Sequence, residues 1–179
     1  MASAIASLTD EEARAPSLLP DWSRGHLLTH LARNADSHTW LFEGARVGEA
    51  RSQYPVAGMR EADIEAGAAR PARELREDVR SSCARLEAEW EGLDGGRWAD
   101  EVVVTPGNRS LAEVVFRRLR EVEVHLVDLD VGLTPADWSP TYVEGELARR
   151  LRRLPDRADH VALVTWLMGR APAPELGPW

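Results

Sequence analysis

The sequence predicts a mainly α fold, an up-and-down four-helix bundle with a short C-terminal appendage. Three observations carry this expectation. Apolar residues recur every three or four positions in three long segments, the period of a helix with one buried face. Capping residues stand where helices would begin: Thr9 with Glu12, Ser23, and Ser110 with Glu113. Proline and glycine clusters punctuate the chain between these segments. At 179 residues the chain can build a real core. We place the bundle over residues 1–140 and the C-terminal segment over residues 141–179.

Thr9 and Glu12 start a short helix that ends near Pro16, and SLLPDW follows as a loop. Ser23 then caps a long helix, RGHLLTHLARNADSHTWLFEGARVG, with Leu27, Leu31, Asn34, His38 and Leu41 on one face. His30 lies at the edge of that face, roughly 60° from Leu27 on the helical wheel. It is either a buried histidine bonded to a carbonyl or a metal ligand, and His26, one turn earlier, is a rival ligand. His38 packs in the apolar face. Gly44–Gly58 reads as a break carrying Arg46, Arg51 and Tyr54, which is either a solvated loop or one that holds an anionic ligand. MREADIEAGA forms a short polar helix, and Pro71 occupies a first turn. Leu75, Val79, Ser82, Leu86 and Trp90 phase the next helix. Cys83 beside them reads as a small buried thiol, since nothing near it in sequence favours a thiolate.

A loop-rich stretch follows, with a β-branched run at Val102–Thr105 that reads as extended. The helix at the centre of the argument is Ser110–Val131, with Leu111, Val115, Val122, Leu126 and Leu129 as its apolar stripe. Glu121 and His125 sit four residues apart on the flank of that stripe, about 40° from each other, and Glu123 points nearly opposite. The pair is either an ion pair at the helix interface or two metal ligands. With His30 from another helix it would make three protein ligands, and three ligands with one open position is the pattern of catalytic zinc. After GLTPADWSP, TYVEGELARRLRRLP reads as a further helix with a basic side of Arg149, Arg150, Arg152 and Arg153. HVALVTWLMGR fits helix or strand, and APAPELGPW is a Pro-rich ending with little power to order itself.

Composition narrows the function classes. A net charge of −8 and a pI near 5.2 argue against a nucleic-acid footprint; all 22 cationic residues are arginine. The single cysteine excludes an internal disulfide and a Cys-rich zinc site. No apolar run is long enough to span a membrane, and the N-terminus lacks the basic and apolar regions of a signal peptide. The expected location is cytoplasmic.

The blocks PDWSRGHLLTHLA, QYP, ADIEAGAARPARELREDVRSS and RLREVEVHLVDLDVGLTPADW cover roughly residues 8–140. They resemble the mycothiol-dependent maleylpyruvate isomerase family, whose bundle is of the DinB-like metal-binding type. The resemblance implies a divalent metal, usually zinc, held by His30, Glu121 and His125. It also implies a C-terminal domain that lends an arginine to the site. Residues 141–179 resemble a truncated form of that domain, and WLMGR makes Arg170 the catalytic candidate.

The implied reaction is the conversion of maleylpyruvate to fumarylpyruvate in aromatic degradation. A mycothiol thiolate adds to the cis double bond, the resulting single bond rotates, and elimination gives the trans isomer. Arg51, Tyr54 and Arg60 are the candidates for holding the dianionic keto acid. A histidine holding a metal usually passes its other ring N–H to an acceptor; Asn34, Asp36 and Asp128 are the nearby polar candidates, and Asn34 or a backbone carbonyl is the expected partner of His30. The expected partners are the substrate, the low-molecular-weight thiol and a second copy in a homodimer. A mycothiol S-transferase on the same scaffold and a non-catalytic metal-binding bundle stand as alternatives.

Overall fold

The computed structural model describes residues 2–104 and 107–177. The chain forms two compact units, Met1–Asp137 and Trp138–Trp179. The first holds α1 (Ala2–Ile5), α2 (Asp10–Arg14), α3 (Arg24–Val47), α4 (Met59–Gly67), α5 (Ala72–Glu91), a hairpin of β1 (Glu101–Val103) and β2 (Asn108–Ser110), and α6 (Leu111–Asp128). The architecture is the mainly α, DinB-like bundle expected from the sequence. Helix α3 is its axis, with α4, α5 and α6 packed against it.

Local chemistry sets the helix starts. Thr9, Ser23 and Ser110 each accept a backbone N–H at the third helical position, and the residue there returns a bond to the cap. In α3 the returning residue is His26, which sequence reasoning had as a rival ligand. Its Nδ1 accepts from Ser23 N at 3.1 Å, and its Nε2 lies 3.3 Å from Glu65. Helix α3 runs on to Val47, so Arg46 lies in its last turn rather than in the loop; Gly48 ends it at φ 76°.

Two apolar clusters share α3. Leu27, Leu28 and Ala32 pack with Ile5, Leu8, Leu75, Val79 and Leu129. Ala35, Leu41, Phe42 and Ala45 pack with Leu86, Val102, Val104, Leu111 and Val114. A buried polar layer lies where they meet. Arg118 donates to the Leu31 carbonyl and to Asn34 Oδ1, both at 2.9 Å, and to Cys83 Sγ at 3.2 Å. Its guanidinium is buried because these acceptors replace water. Helices α3 and α4 approach closely at Gly25, where a Cβ would collide with the Ala68 carbonyl oxygen.

The stripe expected on α6 is only partly interior. Leu111 and Leu129 are fully buried, while Val115 and Val122 line a cavity of about 870 Å³ with Val79, Leu86 and Trp90. The buried face instead runs through Val114 and Arg118, a rotation that carries Glu121 toward α3. The extended run pairs as a hairpin, Val102 opposite Arg109; Thr105 lies outside the described residues. Gln53 N donates to the Val103 carbonyl at 3.0 Å, which fixes the loop after α3.

The second unit contains α7 (Pro140–Arg153) and α8 (His160–Leu167), so HVALVTWL is helical. Ser139 and Asp159 cap the two helices. The Pro-rich ending is tied back, against expectation: Gly177 N donates to the Arg157 carbonyl at 2.9 Å, and Arg157 Nη2 donates to the Gly177 carbonyl at 2.8 Å. Among the described residues no helix is long and apolar enough to cross a membrane.

Candidate metal centre

His30, Glu121 and His125 converge, with ligand atoms all within 4.8 Å of one another. His30 sits two turns into α3, on the edge facing α6, and its side chain is only 4 % exposed. Glu121 and His125 are one turn apart on α6, so they reach the same point. The end of α6 is clamped to the start of α3 in a register that makes this meeting possible. Arg24 Nε donates to the Leu129 carbonyl at 2.6 Å and Nη2 to the Asp130 carbonyl at 2.9 Å.

His30 Nε2 lies 2.8 Å from Glu121 Oε2, and His125 Nε2 lies 3.4 Å from the same oxygen. The His30 and His125 rings meet edge to face at 4.9 Å. His125 Nδ1 lies 2.8 Å from Asp128 Oδ2, the outer partner that fixes a histidine's orientation. The partner expected for His30 is not the one found. Asn34 Oδ1 is taken by Arg118, and Arg60 Nη2 approaches His30 Nδ1 at 3.4 Å.

The three groups set one another's protonation. Burial lowers the His30 pKa below the ordinary histidine value, overriding the attraction of Glu121. Burial opposes charge on His125 too, but its bonds to Glu121 and Asp128 win and raise its pKa. Burial would raise the Glu121 pKa, yet the bonds from His125 and His30 hold it well below the usual carboxylate range. The cluster is therefore a neutral His30, an anionic Glu121 and a His125 that favours its cationic form.

His30 and Glu121 of this triad line a cavity of about 480 Å³, together with Asn34, Gln53, Tyr54, Arg60, Glu61 and Arg117. Gln53 Nε2 donates to Ser37 Oγ at 3.1 Å, which seats the loop that brings Tyr54 to the wall. Of the anion-binding candidates, Tyr54 and Arg60 line this cavity and Arg51 does not. The Arg51 guanidinium stacks 3.7 Å from the centre of the Trp40 ring and donates to Glu49 at 2.7 Å, which makes it an anchor for its own loop. Arg170 lies in the second unit, exposed just past α8, where its N–H donates to the Thr165 carbonyl at 2.7 Å. Arg117 is the wall residue that sequence reasoning missed. Its signal was its place one turn before Glu121, on the same side of α6.

The donor set suits a divalent transition metal. Two imidazole nitrogens and one carboxylate oxygen are a zinc-type set. Ligands at about 2.1 Å in a tetrahedron stand about 3.4 Å apart. The His125–Glu121 separation, 3.4 Å, matches that spacing, while His30–Glu121, at 2.8 Å, is at hydrogen-bond distance.

Comparison with known proteins shows what the chain is similar to. Residues 1–130 match the family described as the mycothiol maleylpyruvate isomerase N-terminal domain. A crystal structure of the mycothiol-dependent maleylpyruvate isomerase is similar at a TM-score of 0.76 and 29 % identity, over 80 % of this chain and 60 % of that one. A second crystal structure, of a histidine-to-alanine mutant of such an isomerase, gives a TM-score of 0.76 and 28 % identity over the same shares. The chain thus spans about 60 % of the length of these solved relatives. No curated protein matches significantly. With the family's N-terminal domain matched over residues 1–130 and its bundle reproduced, the chain belongs to the mycothiol maleylpyruvate isomerase family.

Proposed function

We propose that this chain is a metal-dependent, mycothiol-dependent cis–trans isomerase that converts maleylpyruvate to fumarylpyruvate. The observation that carries the reading is the convergence of His30, Glu121 and His125 under a cavity with arginines in its wall, in a chain of this family. His30 and His125 would hold the metal through Nε2 and Glu121 through a carboxylate oxygen. Zinc bound there supplies positive charge that keeps a thiol co-substrate ionised near neutral pH.

The protein's own groups do the rest. Asp128 accepts from His125 Nδ1, so that Nε2 is the nitrogen that would give up its proton and face a metal. Arg60 Nη2 donates to His30 Nδ1 at 3.4 Å, which leaves the ring proton on Nε2, facing Glu121. Were Nε2 to hold a metal, the ring proton would reside on Nδ1 and Arg60 would lose that acceptor. Arg60, whose Nη1 pairs with Glu61 at 3.0 Å, would then offer Nη2 to a substrate carboxylate, and Tyr54 offers a hydroxyl on the same wall. Arg170 is proposed as the further catalytic arginine.

The test is direct. The purified protein is loaded with zinc, and maleylpyruvate conversion is followed with and without mycothiol. Conversion that needs both supports the reading. No conversion with both present rejects it, and thiol consumption by a generic electrophile would then favour an S-transferase.

A further inference from the structure

Helix α7 hides a glutamate and turns two leucines to water. Its buried residues are Tyr142 and Glu146, and Glu146 accepts from Arg150 Nε at 2.7 Å. Val143, Leu147 and Leu151 are 42, 56 and 53 % exposed. Residues four apart on a helix drift by only about 40°, so these three side chains form one apolar stripe. Such a stripe facing solvent marks an association surface. A second exposed line runs directly beside it, made of Glu144, Ala148 and Arg152. Among the described residues neither Glu144 nor Arg152 forms an ion pair within its own chain.

The two lines complement themselves when one is turned end for end. Val143 and Leu151 lie four residues before and after Leu147, and Glu144 and Arg152 lie four before and after Ala148. A two-fold axis requires a patch that matches its own copy in this way. We propose that α7 is a self-association surface, which pairs antiparallel with α7 of a second copy about an axis near Leu147 and Ala148. Leu147 then meets Leu147 of the second copy, and Val143 meets Leu151. Ala148 lies at the midpoint of its line, where its small side chain lets the helices approach. Glu144 of each copy faces Arg152 of the other, so two ion pairs flank the apolar seam. A parallel pairing would set glutamate against glutamate and arginine against arginine, which selects the antiparallel arrangement. A lipid surface is the poorer match, because a carboxylate stands beside the stripe where anionic headgroups would lie. A helix of 14 residues is only about 21 Å long, so the seam is small and the dimer weak, with a dissociation constant on the order of 10 μM. The inference does not depend on the isomerase reading.

The experiment uses the full chain as wild type, Glu144→Arg, Arg152→Glu, the variant carrying both changes, and Leu147→Asp. Association is read by sedimentation velocity from micromolar to millimolar protein at low salt, and circular dichroism checks that each variant is folded. All these positions are exposed, so their substitution should leave the fold intact. Wild type should pass from monomer to dimer over this range. Either single charge reversal should weaken the dimer about tenfold, since it replaces both ion pairs by like-charge contacts. The variant with both changes restores opposite charges across the axis and should return to within about threefold of wild type, while Leu147→Asp should stay monomeric. A wild type that is monomeric throughout, single reversals that associate like wild type, or a dimer that survives Leu147→Asp would overturn the proposal. So would a double variant as weak as the single ones, or wild type that stays monomeric and instead cosediments with phosphatidylserine vesicles through Leu147.

Discussion

His30 and Glu121 face each other across the bundle, 91 residues apart in sequence, with 2.8 Å between Nε2 and Oε2. Each alters the other: Glu121 favours a proton on His30, and the two histidines hold Glu121 ionised. Such a contact is an ion pair's geometry and a ligand pair's geometry at once. The predictions below separate these two roles.

His30→Ala should abolish zinc binding, whereas His26→Ala should retain it. The His26 ring serves the Ser23 cap, so its loss should cost about 1 kcal/mol of stability and no metal. Metal content after dialysis and urea midpoints of the two variants decide this. Zinc retained in His30→Ala would remove His30 from the site.

Asp128→Asn should weaken zinc binding by about 10- to 100-fold, the usual effect of losing an outer carboxylate. Chelator competition at fixed pH measures it. An unchanged affinity would mean that the 2.8 Å contact to His125 Nδ1 is merely structural.

Acid should destabilise the metal-free protein partly through His38. This ring is fully buried and its pKa is lowered to about 3, by burial first and by Arg118 second. Unfolded chains protonate histidine near pH 6.5, while the folded protein resists until about pH 3. The unfolded state binds more protons in that window, so stability is present above it and is lost as pH falls through it. The slope is at most about 1.4 kcal/mol per pH unit. Urea titrations at several pH values, with a chelator present, should show a flatter slope for His38→Leu than for wild type.

Arg118→Met should cost about 3 kcal/mol, because the Leu31 carbonyl and Asn34 Oδ1 lose a charged donor in a buried layer. Thermal unfolding checks the size. Arg120→Met, on the partly exposed side of the same helix, is the control and should cost far less.

Much of this molecule is readable from short-range chemistry. The capping boxes at Thr9 and Ser110 join residues three apart, so no distant partner can alter them. Helix period alone places Glu121 and His125 together, because residues four apart share a side whatever the helix packs on. The mainly α class and the three-residue centre follow from such signals together with the family-like blocks.

Other features depend on partners that sequence distance hides. Arg51 reads as a loop cation free for a ligand, but the fold lays it on Trp40 and beside Glu49. Cys83 reads as unaccompanied, yet Arg118 arrives from another helix at 3.2 Å. The buried face of α6 runs through Val114 and Arg118 rather than along the stripe of Val115 and Val122, since burial depends on which neighbour fills each side. The placement of Arg117 in the cavity wall follows from that same rotation. Spacing along one helix is a local property of the backbone, whereas the side chain that meets another across the bundle is set by packing, where contacts between distant residues outweigh local preference.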